Sequence, residues 1–233
     1  MSSELMTLSP QDMTALWLTA KLAVISTGLL LLLSAPLAWW LAHSRSQFKV
    51  VIEALVTLPM VLPPTVMGFY LLMLLGPEGW LGHIFEQWGI GHLAFSFSGM
   101  VLASMIFSLP FVVQPMQNAF ANAGGRMVEL AATLRASRLD TFRHVVLPLS
   151  RRGILTAGVL SFAHTLGEFG MILMIGGNIP GSTQVASIAI YDHVESMNYA
   201  AAHSLSLVLI LLSLLLLVLV FALNRRFTPQ MAG

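Results

Sequence analysis

Two titratable side chains, His164 and Glu168, lie in an otherwise apolar stretch of the sequence. They are four residues apart, so a continuous helix would place both on one face. That spacing suits two ligands of a metal site, but the sequence places no third ligand beside them. We therefore expect no metal here and favour a packed, hydrogen-bonded pair. Because an ionisable residue inside a membrane span usually marks a functional site, we expect Glu168 to serve structure or gating.

The sequence lacks the residues and motifs that are characteristic of several other kinds of catalytic site. The chain has no cysteine, which excludes disulfides and thiolate metal sites. The patterns His-Glu-x-x-His and Gly-x-Ser-x-Gly, which would indicate an intramembrane protease or a serine hydrolase, do not occur. No phosphate-binding loop ending in Gly-Lys-Ser or Gly-Lys-Thr is present either. We expect a chain that is not an enzyme, has no cofactor of its own and takes any ATP hydrolysis from a partner.

The elements that position the His164/Glu168 pair are predicted to be membrane helices. Hydrophobic residues make up 57% of the chain and charged residues 9%, against roughly 25% charged in soluble domains. Five stretches reach the length of about 20 apolar residues that crosses a bilayer. These stretches are Met13–Ala42, Val51–Leu75, Gly99–Phe120, Gly153–Gly176 and Ala200–Leu223. The predicted fold is all-α, a polytopic membrane helical bundle forming one domain over residues 1–233.

Prolines are predicted to interrupt two of these spans. Pro59, Pro63 and Pro64 lie in the second, and Pro110 and Pro115 lie in the third. Proline removes a backbone donor and breaks the helical hydrogen-bond ladder. In lipid, the freed carbonyls need partners in protein or in a water-lined path. The adjacent pair Pro63-Pro64 therefore predicts a broken helix near the axis of the bundle.

Side chains near these features are candidates for lining a path or forming a gate. For Glu168 we expect a structural or gating role rather than contact with a transported solute. Gln114 is a weaker candidate. The pathway and gate candidates are Pro63, Pro64, Thr65, Ser108, His164 and Glu168.

The distribution of positive charge predicts the orientation of the chain. Ten of the eleven Lys and Arg residues lie between the first and second spans, between the third and fourth, or after the fifth. The loops Gly76–Ser98 and Gly177–Tyr199 contain none. The positive-inside rule then places the C-terminus in the cytoplasm and the N-terminus outside. The first of these loops also carries an amphipathic piece, Trp80–Trp88, which counts as a short sixth, re-entrant element if it enters the membrane.

The longest cytoplasmic segment, Ala121–Arg152, has the pattern of two short helices. Glu129–Leu134 predicts the first, and Ser137 is expected to cap the second with Asp140 as its partner three residues on. The second helix is expected to end at Leu147-Pro148, before the fourth span. A basic and partly apolar helical pair suits docking into a partner's groove, although an ordinary basic loop has the same composition.

This segment resembles the cytoplasmic signature of permeases from binding-protein-dependent ABC importers. The signature is Glu-Ala-Ala, a Gly four residues later, and Ile-x-Leu-Pro ten residues after that Gly. The chain matches its spacing, but Leu130 replaces an Ala and Arg135 replaces the Gly that permits a tight turn. The resemblance implies that residues 121–152 form a loop that couples the permease to an ATPase. The coupling residues it implies are Glu129, Leu130, Ala131, Arg135, Ser137, Arg138, Val145, Leu147 and Pro148.

Further segments resemble the molybdate permeases of this family. They are Leu58–Tyr70, Phe95–Gly99, Leu166–Gly170 and Asn178–Thr183. The resemblance implies a permease of the bacterial inner membrane that imports molybdate, with tungstate as a co-substrate. It also implies a homodimer that works with two ATPase subunits, which bind ATP-Mg, and with a periplasmic substrate-binding protein. The net charge of +1 gives no argument for nucleic acid binding.

Two alternatives remain open at the level of the sequence. Sulfate permeases share the Gly-Glu-aromatic-Gly element at residues 167–170, so a sulfate or thiosulfate permease is the first. An ion-coupled carrier with Glu168 as its proton site is the second, although the sequence shows no internal repeat of the kind common in such carriers. Co-purification with an ATPase subunit would separate the importer from the carrier.

Overall fold

The computed structural model describes residues 8–89, 91 and 93–226, and this part of the chain contains helices and no strands. A π-helical turn, Phe142–Val146, joins the sixth helix to the seventh. The predicted all-α fold is confirmed. The helices are α1 (Pro10–His43), α2 (Phe48–Val61), α3 (Pro64–Leu75), α4 (Trp80–Gln87), α5 (Phe97–Thr133), α6 (Arg138–Thr141), α7 (Leu147–Leu166), α8 (Gly170–Gly176), α9 (Ala186–Glu195) and α10 (Tyr199–Arg226).

Four helices of the described chain are long and apolar enough to cross a membrane, and a bent pair makes up to five spans. The four are α1, α5, α7 with its preceding π-helical turn, and α10. The fifth consists of α2 followed by the segment Pro64–Gln87. The predicted number of five spans agrees with this upper count. The predicted amphipathic piece is present as α4, which packs against α3.

The first span begins where its capping residues predict. Ser9 Oγ accepts a hydrogen bond from the backbone N–H of Asp12 at 3.1 Å, and the Asp12 carboxylate accepts one from the Ser9 N–H at 3.0 Å. Pro10 occupies the first turn, where its missing N–H costs nothing. The other oxygen of Asp12 lies 2.8 Å from His193 Nε2 on α9. The capping box therefore also joins the start of α1 to α9.

The helix α5 is the centre of the bundle. It packs along α1 and α7 and also contacts α2, α3 and α8. Its residues Val112, Val113 and Met116 are among the most deeply buried in the chain. The predicted interruption of this span at Pro110 and Pro115 is wrong, because α5 is continuous through both. Each proline removes one backbone hydrogen bond from the helix. The helix stays continuous because neighbouring helices pack against it on several sides.

The second span is broken where Pro63 and Pro64 predict it. The helix α2 ends at Val61, and the chain turns by 111° before it continues from Pro64 to Gln87. Pro59, by contrast, lies inside α2 without ending it. After the break, α3 packs against α8. A Cβ added at Gly68 of α3 would lie 2.8 Å from the Cβ of Met174, so glycine permits this close approach.

The fourth span is also broken, which the sequence did not predict. Its helix α7 ends at Leu166, and α8 begins only at Gly170. The predicted continuous span Gly153–Gly176 is therefore wrong. Gly167 follows the last turn of α7, and Phe169, with φ −125° and ψ −68°, leaves the helical conformation before α8 begins.

We expect the contact between α5 and α7 to tolerate no side chain at Gly153. A Cβ there would overlap the Cβ of Ala119 on α5. Gly153→Ala should lower the free energy of unfolding by about 1–3 kcal/mol, as overpacking does. Gly28→Ala is the matched control, because a Cβ at Gly28 meets nothing within 4 Å. Thermal unfolding of the purified permease in detergent measures both, and equal melting temperatures would contradict the expectation.

Candidate functional site

Glu168 lies in the break between α7 and α8. The backbone N–H groups of Gly167 and Glu168 bond to the carbonyls of His164 and Thr165, which closes the last turn of α7. The helix α8 then begins without a side-chain cap. The prediction that His164 and Glu168 share the face of one continuous helix is therefore wrong, because the helix ends between them. Glu168 does not cap α8 either.

Two serines of α5 nevertheless hold both residues of the pair. Ser104 Oγ donates to Glu168 Oε2 at 2.8 Å, and Ser108 Oγ lies 2.9 Å from His164 Nδ1. Ser104 and Ser108 are four residues apart on α5 and fully buried. The hydrogen-bonded pairs thus run between helices, not within α7. The sequence analysis identified Ser108 but missed Ser104. The two serines are four residues apart, and so are His164 and Glu168, to which they bond.

The carboxyl group of Glu168 is only half satisfied. The residue is 5% exposed, and its Oε1 has no hydrogen-bond partner among the residues that the structure describes. Its backbone carbonyl accepts a bond from Ser187 Oγ of α9 at 2.7 Å. A buried polar atom without a partner is costly. Glu168 therefore ties the break to α5 and α9.

The imidazole of His164 is packed among aromatic side chains. Its ring centroid lies 4.3 Å from that of Phe111 and 4.9 Å from that of Phe107. Within residues 8–89, 91 and 93–226, no group of three or more His, Cys, Asp or Glu side chains is arranged to hold a metal ion. The geometry therefore favours a positioning role for His164.

The two broken spans meet at their breaks. A Cβ at Gly170, the first residue of α8, would lie 3.5 Å from the Cβ of Pro64 and 3.7 Å from Cγ2 of Thr65. Pro63, Pro64 and Thr65 are exposed on the single chain. The structure thus brings Pro64 and Thr65, predicted pathway residues of the second span, next to the Glu168 break. Ser108 and His164, the other predicted pathway residues, contact each other between α5 and α7.

A second polar cluster joins α2 to α5 towards their loop ends. Gln117 Nε2 donates to Glu53 Oε1 at 2.6 Å, and Gln114 Nε2 donates to Thr57 Oγ1 at 3.2 Å. Lys49 lies 3.7 Å from the same Glu53 oxygen. A small cavity of about 240 Å³ is lined by Glu53, Thr57, Gln114 and Gln117. The sequence indicated only Gln114 from this cluster, because Glu53 and Gln117 are separated by 64 residues.

The predicted coupling loop is built from the ends of two long helices. The predicted first helix, Glu129–Leu134, is the last part of α5, which ends at Thr133. Ser137 caps α6 as predicted, since its Oγ accepts a bond from the Asp140 N–H at 3.1 Å. The side chains of Glu129 and Arg138 lie outside the described part of the chain.

The predicted end of the second helix at Leu147-Pro148 is wrong. The chain continues from α6 through the π-helical turn into α7, with Pro148 in the first turn of α7. In this turn the N–H of Leu147 bonds to the carbonyl of Phe142, five residues back. This wider pattern lets a helix continue into a proline that lacks its own N–H.

The exposed apolar residues of this loop lie at its tip. Leu130 is 50% exposed and Leu134 is 82% exposed. Ala131 and Val146 face inward, and Phe142 packs on Trp39 with ring centroids 5.5 Å apart. Val145 is half-buried and Leu147 is exposed. The apolar side of the second helix therefore belongs to the chain's own core, and Leu134, which the sequence analysis did not single out, is the most exposed apolar side chain of the tip.

Arg135 makes the turn that the family signature assigns to Gly. Its φ is +56°, in the left-handed region. The N–H of Ala136 bonds to the carbonyl of Ala131 at 3.1 Å, which closes the end of α5. The turn is thus retained with an L-residue in a conformation that favours glycine.

We expect Arg135→Gly to stabilise this turn. Relief of the left-handed conformation is worth about 1–2 kcal/mol, and the extra freedom of glycine in the unfolded chain offsets part of it. Ala136→Gly is the matched control, since Ala136 does not have a positive φ, and it should destabilise. Hydrogen exchange of the loop amides in the intact complex measures both. Faster exchange in Arg135→Gly than in the original chain would disprove the strain at this position.

We expect Ser104→Ala to destabilise the chain by about 1–3 kcal/mol, because it leaves the buried Glu168 carboxyl without its donor. In a Glu168→Leu background the same change should cost much less, since both partners are then gone. Melting temperatures of the four variants in this cycle measure the coupling. Additive effects would show that the 2.8 Å contact carries no energy.

Comparisons with known proteins place this fold and motif in one family. The family of the binding-protein-dependent transport system inner membrane component matches residues 34–233. A molybdenum transport system permease protein, ModB, of Azotobacter vinelandii is 55% identical over 201 residues, which cover 86% of this chain and 89% of the relative. A sulfate transport system permease protein, CysT, of Salmonella typhimurium is 35% identical over 216 residues, covering 93% of this chain and 76% of the relative.

Solved structures share the fold. The chain superposes with a TM-score of 0.78 on a bacterial ABC transporter involved in the import of the acidic polysaccharide alginate, at 18% identity, covering 95% of this chain and 81% of that one. A complex of the bacterial alginate ABC transporter with an alginate pentasaccharide-bound periplasmic protein gives a TM-score of 0.77 at 18% identity, covering 94% of this chain and 80% of that one. The family expected from the spacing of the cytoplasmic motif is confirmed: the chain belongs to the inner membrane components of binding-protein-dependent transport systems.

Proposed function

We propose that this chain is the permease subunit of an ATP-driven importer for molybdate, with tungstate as a second substrate. The observation that carries the proposal is the 55% identity to a molybdenum transport permease over 86% of the chain. The proposed place is the bacterial inner membrane, with the C-terminus in the cytoplasm. The arginines around the loop between α5 and α7 support this orientation.

The proposed path runs along the surface where the two broken spans meet. One chain leaves Pro63, Pro64 and Thr65 exposed there. Large apolar side chains of α2 and α3 are exposed on either side of the break, with Val61 at 76% and Tyr70 at 65%. A second copy of the chain would cover these residues and enclose the path, so we propose a homodimer. Glu168 would hold the break in place without contacting the anion.

Two ATPase subunits are proposed to bind the coupling loops of the dimer. The tip offers exposed Leu130 and Leu134 beside Arg135 and Ser137. ATP-Mg would bind to the ATPase subunits, and the permease itself would hold no cofactor and catalyse no reaction. Closure of the ATPase pair would move the tips, and the stiff helices α5 and α7 would carry that motion to the breaks. The coupling is a difference in free energy between inward- and outward-facing states.

A periplasmic binding protein is proposed to deliver the oxyanion to the outer loops. Side-chain hydrogen bonds cross-link the loop after α8. Asn178 Nδ2 donates to both carboxylate oxygens of Asp192, at 2.8 and 2.7 Å. Gln184 Nε2 donates to Asp192 and to Asn178 Oδ1. Such a rigid outer surface suits the docking of a preformed partner. A sulfate permease remains the second candidate, because the sulfate relative matches 93% of the chain.

We expect Leu134→Asp to prevent binding of the ATPase while the permease still inserts. A carboxylate at the centre of an apolar contact loses its hydration without a partner. Met197→Asp is the matched control: Met197 is 77% exposed and lies in the outer loop before α10. Co-purification of the ATPase with each tagged variant is the measurement. Undiminished ATPase capture by Leu134→Asp would show that the tip is not the docking surface.

We expect the reconstituted complex of permease, ATPase and binding protein to accumulate molybdate only when ATP is present. Sulfate in about tenfold excess should compete weakly, because the favoured relatives transport molybdenum. Uptake of labelled molybdate into proteoliposomes measures this, with tungstate as a second competitor. Equal uptake of labelled sulfate would support the sulfate permease instead, and uptake driven by a proton gradient without ATP would support the ion-coupled carrier.

A further inference from the structure

An apolar groove runs between α1, α7 and α10. Its volume is about 630 Å³, within the roughly 300–1,000 Å³ of pockets that enclose a small ligand. In the described chain, every residue that lines it belongs to α1, to α10 or to the segment from Leu147 to Leu166. None comes from α2, α3, α5 or α8, which carry the proposed path. The groove is therefore separate from the substrate route.

The walls of the groove contain few polar groups that need a hydrogen-bond partner. Most lining residues are Leu, Ile, Val, Ala, Gly and Phe. Thr27 is 7% exposed, and its hydroxyl donates to Ser161 Oγ at 3.3 Å. A Cβ at Gly28 would meet nothing within 4 Å, so this glycine leaves open space in the wall. An apolar chain fits such a groove, and a hydrated oxyanion does not.

The groove extends along α7, from the end beside the coupling loop to the end beside the Glu168 break. Val24 of α1 and Ser213 of α10 are its outermost lining residues on those helices. Each lies 14 residues from the outer end of its helix, about 21 Å at 1.5 Å per residue. The hydrocarbon core is about 30 Å thick. Because α1 has 34 residues and is longer than this core, the end of the helix does not mark the membrane boundary. The leaflet is assigned instead by Arg151, which lies at the end of the groove beside the coupling loop.

Among the residues that the structure describes, one charged side chain lines the groove, and it is a cation at the end beside the coupling loop. Arg151 lies in the second turn of α7, is exposed, and is followed by Arg152. Apolar walls that end at a guanidinium match a molecule with an acyl chain and an anionic head. We propose that this groove binds a phospholipid of the cytoplasmic leaflet, with one acyl chain between α1, α7 and α10 and its phosphate at Arg151. The assignment to that leaflet rests on the proposed orientation.

A lipid in this place would complete the packing of α10. In the described chain, α10 makes its main contacts with α7 and α9, and its residues Leu211, Leu214 and Leu215 are more than half exposed. The acyl chain would fill the gap between α10 and α1, where no side chain does so. It would therefore act as a structural ligand that holds the last span against the bundle.

Native mass spectrometry of the full-length permease in detergent, with phosphatidylglycerol added, tests the proposal. Gly28→Leu and Val24→Trp fill the groove and should each reduce bound phosphatidylglycerol at least about tenfold, because every excluded methylene weakens binding several-fold. Arg151→Gln should reduce the preference for phosphatidylglycerol over neutral phosphatidylcholine. Leu32→Trp, on the exposed face of α1 outside the groove, and Arg45→Gln, in the loop before α2, are the matched controls and should change neither quantity.

Three results would overturn the proposal. Lipid binding by both groove-filling variants at the level of Leu32→Trp would show that the groove is empty. Equal binding of the two lipids by the original chain would remove the role of Arg151. A disulfide between two copies carrying Val159→Cys, in a chain that has no other cysteine, would show that a second copy occupies the groove. These measurements need no transported substrate, so they stand apart from the assignment of molybdate.

Discussion

In hydrocarbon, every backbone N–H and C=O must find its partner inside the protein, and the rest of this structure depends on that constraint. Two of its spans are broken, one at Pro63 and one at Glu168. Breaks of this kind would be too costly against lipid. They are tolerated because α3 and α8, the segments that follow them, pack on each other. They are also secured by α5 and α9, through the bonds of Ser104 and Ser187 to Glu168.

The continuous helix α5 connects this region to the coupling loop. It runs from Phe97 to Thr133, about 55 Å at 1.5 Å per residue. Ser104 and Ser108 lie in its N-terminal third, and Leu130 lies at the tip of the loop. The helix α7 runs beside it, with Gly153 against Ala119 permitting close contact. The two helices form a stiff unit between a tip suited to docking and the breaks beside the proposed path, which is the geometry that a coupled transporter requires.

The success of the sequence analysis depended on whether a signal was local. Ser9, Pro10 and Asp12 predicted the start of α1, since a capping box involves only neighbours in the chain. Pro63-Pro64 predicted a real break, yet Pro110 and Pro115 predicted a false one in a helix that packing keeps continuous. The break at Glu168 was missed, because Gly167 and Gly170 in an apolar run also fit an unbroken helix. The partners of Glu168 and His164 lie 64 and 56 residues away, beyond any local pattern.

The sequence by itself determined that the chain is a membrane helical bundle, that its arginines cluster in alternate loops, and which family its motif between the third and fourth spans belongs to. These properties depend on composition, periodicity and spacing, which are local quantities. Only the tertiary structure decided which prolines break a span, that two breaks face each other, and that Arg135 adopts the left-handed turn in place of a glycine. Each of these outcomes depends on what packs against the segment, and contacts between distant residues are fixed only when the helices assemble.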